Sequence, residues 1–169
     1  TVDSASYEKE KIEQGLKLFK SHKYEQAFSI WQPLALHGNT SAIFYMGIYF
    51  DSNLNKSNPN DEKAIYWYKK ATQLGHSMAQ FNLGAMLEKG RGTNKNETEA
   101  LAWYKKSAAQ GNIYAETRLS VLNDRKDFNQ LILQAKNGNA SAQLSIAKMY
   151  ETGRGIGYDP KEAIIWYQE

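Results

Sequence analysis

A chain of 169 residues, 41% hydrophobic and 23% charged, has the length and balance of one soluble globular domain or one short repeat array. Its net charge is only +3 and its Lys and Arg are spread along the whole length, which argues against a nucleic-acid-binding surface. No apolar run is long enough to cross a membrane. With no Cys, disulfides, thiolate chemistry and cysteine-based metal sites are excluded, although the compartment is left open.

The chain opens at Thr1 instead of Met, which reads as removal of an upstream segment, either a signal peptide or the rest of a longer chain. Thr1 to about Ser6 is polar and expected to fray. A first unit follows over about 7–38. One helix carries Ile12, Gly15, Leu16 and Phe19, a tight turn spans Ser21 to Lys23, and a second helix carries Ala27, Ile30, Trp31, Leu34 and Ala35. Pro33 lies inside that second helix and predicts a kink or strained turn. A second unit, 41–75, packs Ala42, Met46, Gly47 and Phe50. It has an Asn- and Ser-rich loop from Asp51 to Asn60, with Asp61 as the expected N-cap of the next helix. The third, 78–111, packs Ala79, Leu83, Gly84 and Leu87, loops over Gly90 to Asn96 and offers Thr98 as a cap. The fourth, 114–138, is short, and about Asn123 to Lys126 is expected to form the whole turn of a compact hairpin. The fifth, 141–169, stops partway through its second helix.

These units repeat one text. Ala42, Ala79, Ala115 and Ala142 are spaced 37, 36 and 27 residues apart, and Gly38, Gly75, Gly111 and Gly138 give the same series. Trp67-Tyr68, Trp103-Tyr104 and Trp166-Tyr167 each follow an Ala three residues before the Trp. Apolar residues fall at helical spacing on both members of every unit, and period-2 strands are absent. A lone hairpin cannot cover both of its faces, so stacked neighbours must do so, as in a solenoid. The small residues Gly47, Gly84, Ser120 and Ala147 read as points of close helix approach.

The run from Ala79 to Asn112 resembles the repeat of the Sel-one-like repeat (SLR) family, relatives of the tetratricopeptide repeats with a longer loop between their helices. Ala79, Leu83, Gly84, Leu87, Gly90, Gly92, Ala100, Trp103, Tyr104, Ala108 and Gly111 carry the resemblance. So do Ala142, Tyr150, Gly153, Gly155, Ala163, Trp166 and Tyr167. The first unit, with Gly15, Leu18, Tyr24 and Ala27, is closer to plain tetratricopeptide spacing. The resemblance implies an all-α fold, an α/α superhelical solenoid of about five helix-turn-helix units over 1–169, and a protein-binding scaffold. Bacterial members are often exported, so a periplasmic or secreted location is expected, with the cytoplasm as the alternative.

Residues that could carry other chemistry have blander readings. Gly90-Arg91-Gly92 and Gly153-Arg154-Gly155 lack P-loop spacing and read as helix C-caps. His22, His37 and His76 have no second ligand at i+3 or i+4 and read as turn or helix-end residues. No nucleophile sits in a catalytic motif. Lys69-Lys70 and Lys105-Lys106 read as a solvated face, and the Trp-Tyr pairs as core. Asn39, Asn96 and Asn139 open glycosylation sequons; Asn39 and Asn139 sit just before helices, where turns and caps use Asn.

The expected function is therefore binding of a protein or peptide, without catalysis, cofactor, metal, nucleic acid or membrane insertion. The alternatives are a cell-wall or β-lactam hydrolase-like enzyme and a structural spacer. In a tetratricopeptide-like hairpin the first helix lines the concave face. That places Phe44, Ile48 and Asp51, then Phe81, Ala85 and Glu88, then Thr117 and Val121 with Asp124, and Leu144 and Lys148 with Glu151, in a groove. The competing reading packs Phe44 and Phe81 against neighbouring units. Ile164 to Tyr167 predict an open C-terminal end that the natural chain, or another copy, would cover, so self-association there is a further expectation.

Overall fold

The structure, a computed structural model, describes residues 4–169, and among them it contains nine α-helices and no strand. They are α1 (Ser4–Lys20), α2 (Tyr24–Leu36), α3 (Thr40–Phe50), α4 (Asp61–Gln73), α5 (Ser77–Lys89), α6 (Glu97–Ala108), α7 (Ile113–Lys136), α8 (Ala140–Thr152) and α9 (Pro160–Gln168). The fold is thus an all-α solenoid of repeats. Of the arm expected to fray, Ser4 to Ser6 belong to α1, and Thr1 to Asp3 lie outside the described residues. The helices group into two compact units, one ending at Ala115 and the other covering Glu116–Glu169.

In the first unit α1–α2, α3–α4 and α5–α6 are antiparallel hairpins; α2 packs on α3, and α4 on α5. Their closest approach is set by three glycines. A Cβ on Gly15 would enter the ring of Trp31, one on Gly47 the ring of Tyr68, and one on Gly84 would lie 2.8 Å from the ring of Tyr104. Trp31, Tyr68 and Tyr104 are at most 1% exposed. Burying one such ring contributes about 2–3 kcal/mol, which outweighs the roughly 1 kcal/mol that a mid-helix glycine costs. Pro33 does not break α2, which runs on to Leu36.

Helix starts are fixed by side-chain oxygens or nitrogens that take an otherwise unpaired backbone N–H. Asn39, Asn60, Asn96 and Asn139 accept from Ala42, Lys63, Glu99 and Ala142, and Asp159 accepts from Lys161 and Glu162. The caps expected at Asp61 and Thr98 fall instead on Asn60 and Asn96, because Asp61 is already the first residue of α4 and Thr98 lies inside α6. Asn55 holds the glycine-free loop between α3 and α4. Fully buried, it donates to the Tyr49 carbonyl at 2.8 Å and accepts from the Ser57 amide at 2.9 Å.

The expected hairpin over 114–138 does not form. Residues 113–136 are one uninterrupted helix, α7. The reason is local: Leu119 to Asn129 contains no Gly or Pro, and a helical hairpin needs a loop of two to five residues. Drawing that loop from helix would forfeit backbone hydrogen bonds. In the second unit the C-terminal half of α7 packs on α8 through Ala135, Ala142, Ile146 and Met149, with Phe128, Leu131, Ile132 and Trp166 around them.

Candidate interaction surface

The Gly-Arg-Gly loop between α5 and α6 docks on the preceding hairpin. Gly90 caps α5 in the left-handed region, φ 67°, as expected of the turn. Gly92, φ 65°, does more: a Cβ there would lie 2.6 Å from the carbonyl oxygen of Asp61, at the start of the preceding hairpin's second helix. That close approach lets Arg91 reach back. Its Nη1 donates to Asp51 Oδ1 at 2.7 Å and to Asp61 Oδ1 at 3.2 Å. Asp61 also accepts from the Ser52 amide and hydroxyl at 2.9 Å, and Asp51 accepts from the Tyr68 hydroxyl at 3.2 Å. Burial works against the Arg91 charge, but the two carboxylates outweigh it and its pKa is raised. Burial and the neighbouring Asp51 push the Tyr68 hydroxyl well above its ordinary value. Loop spacing predicted a cap here; the ion-pair node was missed, because its two aspartates lie 40 and 30 residues upstream of Arg91.

The second unit repeats the docking. A Cβ on Gly155 would lie 2.6 Å from the Asp124 carbonyl oxygen, and Arg154 Nε donates to Asp124 Oδ1 at 2.8 Å.

The expected groove residues divide by burial. Phe44 is 7% exposed, its ring stacked on His76 at 4.3 Å, and Asp51 is 2% exposed within the Arg91 node. Both hold the fold and are corrected from surface to interior: Phe44 meets the next hairpin's cap, and Asp51 ends α3 instead of continuing its exposed face. Ile48, Phe81, Ala85 and Glu88 are half-buried. Phe81, Ala85 and Glu88 form one stripe of α5, and Glu88 accepts from the Tyr104 hydroxyl at 2.7 Å. Phe81 also lies 5.9 Å from Tyr114, which is 60% exposed and was not singled out from sequence. In the second unit Thr117, Val121, Leu144 and Lys148 are exposed.

The Trp-Tyr pairs split. Tyr68 and Tyr104 are interior, whereas Trp67 and Trp103 are half-buried, covered by the ammonium groups of Lys70 at 5.3 Å and Lys106 at 4.5 Å. One lysine of each pair is thus a lid on a tryptophan as well as a solvated charge. His37 bonds the Pro33 carbonyl at 2.7 Å and His22 the Tyr24 hydroxyl at 2.7 Å, while His76 Nδ1 caps α5 by accepting from Ala79. No group of three or more potential metal-binding side chains occurs among the described residues.

Helical hairpins joined through glycine turns, with an aromatic of the second helix set on a glycine of the first in three of them, define an α/α repeat protein. The Sel1 repeat pattern matches residues 40–76, 77–112 and 140–169, and the chain belongs to the Sel1 repeat family. The unmatched stretch between the second and third matches is α7 and its flanking turns. A Sel1 repeat protein from Oxalobacter formigenes is 33% identical, with a TM-score of 0.61 over 93% of this chain and 68% of that one. A protective antigen of uropathogenic Escherichia coli that displays an SLR fold is 22% identical, with a TM-score of 0.62; 97% of this chain is aligned, spanning 38% of that protein. No curated protein matches.

Proposed function

We propose that the protein is a non-catalytic interaction scaffold that holds an extended or helical peptide segment on its first-helix face. The observation that carries this is the stripe of Phe81, Ala85 and Glu88 on α5 with the exposed Tyr114 beside it. An aromatic pair at a half-buried seat is the kind of anchor that dominates peptide binding, and Glu88 adds a preference for a basic residue in the ligand. Ile48 on α3, and Thr117, Val121, Leu144 and Lys148 in the second unit, stand at corresponding register positions. Membership of a family of protein-interaction repeats supports the class of partner. No helix among the described residues is long and apolar enough to cross a membrane. A periplasmic or secreted setting belongs to the same proposal and follows the exported habit of bacterial family members.

The test is selection from a random peptide display library. Enriched peptides should carry apolar anchors and Lys or Arg. Phe81→Ala with Tyr114→Ala should abolish their binding, and Glu88→Gln should weaken basic peptides selectively. No enrichment, or binding indifferent to the aromatic pair, would overturn the reading. Turnover of chromogenic ester, β-lactam or peptidoglycan-peptide substrates would overturn the absence of catalysis.

A further inference from the structure

The first unit shows what should lie on the C-terminal half of a helix such as α7. There, Tyr68 of α4 is covered on one side by Gly47 of its own hairpin and on the other by Asn82 of the next, whose side chain donates to its hydroxyl. The landmarks place Leu131 at the Tyr68 position, Ser120 at Gly47, and Ser145 at Asn82. In the second unit the α8 side is filled, but Ser120 and Leu131 are eleven positions apart on one uninterrupted helix and cannot meet. A cleft of about 330 Å³, lined by Leu131, Ser145, Met149 and Arg154, marks this face.

The chain lengths agree. The fourth period is 27 residues against 37 in the second, a deficit of ten, and ten residues also separate Asp51 from Asp61. Asp124 therefore takes both places at once: four residues after the small residue, as Asp51 is, and 30 residues before the loop arginine, as Asp61 is. The loop between them is missing altogether, so α7 has no slack with which to fold back. Arg91 is 19% exposed between two carboxylates, whereas Arg154, with Asp124 alone, is 65% exposed.

We propose that two copies of this chain pair through α7 as an exchanged hairpin. The α7 helices cross antiparallel about a two-fold axis near residues 125 and 126. Ser120 of each lies against Leu131 of the other, and each Arg154 bridges its own Asp124 and the other copy's Asp124. A two-fold exchange of identical elements satisfies both open faces with one contact. The proposal is independent of the peptide face on α5.

The experiment is light scattering on the full chain together with cysteine linking, which the absence of native Cys makes clean. The expected mass is twice the 19.2 kDa of one chain. Ser120→Cys chains refolded together with Leu131→Cys chains should give a reducible disulfide between the two variants under mild oxidation. Inserting a copy of the segment 52–61 after Asp124 should let the hairpin close within one chain. That variant should be monomeric, and with both cysteines present the link should fall within a single chain; circular dichroism checks that it has folded. A single-chain mass for the parent would overturn the pairing. So would a dimer that does not link at these positions, for instance one joined through Ile164 and Ile165. A dimer persisting after the insertion in a folded variant would also overturn it, and the mixed-cysteine result stands alone if the insertion fails to fold.

Discussion

Gly92 and Gly111 have similar backbone angles, φ 65° and 78°, in opposite surroundings. A Cβ at Gly92 meets the Asp61 carbonyl, while one at Gly111 meets nothing within 4 Å. Gly111→Ala should cost about 1–2 kcal/mol, the left-handed penalty alone. Gly92→Ala should cost about 1–3 kcal/mol more through overpacking. Equal losses in urea unfolding would show that the loop does not press on α4. His76 gives a pH dependence. Burial lowers its pKa, and as an N-cap its Nδ1 must be unprotonated to accept from Ala79. The unfolded state therefore binds the proton more readily. Stability from this group is complete above about pH 6.5 and falls as pH drops through the lowered folded value. His76→Asn, the cap used at five other helix starts, should flatten the melting-temperature profile between pH 8 and 5; an unchanged slope would clear His76. Phe44→Ala should cost about 3 kcal/mol, as expected for an interior ring. Near-neutral unfolding would return Phe44 to the surface.

At the scale of elements, α7 is where sequence and structure part. The helical periodicity, small residues and turn glycines of the other hairpins were legible because each rule acts within one repeat, over a few turns of chain. Gly84 under Tyr104 follows from that repeat pattern. The fourth unit keeps every one of those signals in phase, so the pattern reads as a hairpin; what distinguishes it is a period ten residues short and the lack of any residue to break the helix between Leu119 and Asn129. The groove was partly legible for a related reason. Register places Phe44 and Phe81 alike, but the neighbour decides exposure: His76 stacks on Phe44, whereas Phe81 meets the exposed Tyr114. Amide exchange tests α7 directly. Amides of 122–126 should be protected like those of a helix interior; exchange as fast as in the 92–95 loop would restore the hairpin.

Across the molecule, the two units differ in what they bury. The first contains Trp31, Tyr49, Tyr68 and Tyr104 at 1% exposure or less, whereas the interior of the second is Ala and Ile with Met149. Aromatic burial supplies most of such a core, so α8 amides should exchange faster than those of α3 and should open first in denaturant. If the paired state holds, that gap should narrow as protein concentration rises, since association stabilises whatever it covers. A gap independent of concentration would leave the second unit standing alone. Asp124 also bears on descent. An array that grows or shrinks by whole modules keeps every turn it had. A deletion of ten codons within a module would remove a turn while keeping all its packing positions, and so could have converted a self-sufficient ancestor into a partnered one without redesigning any surface.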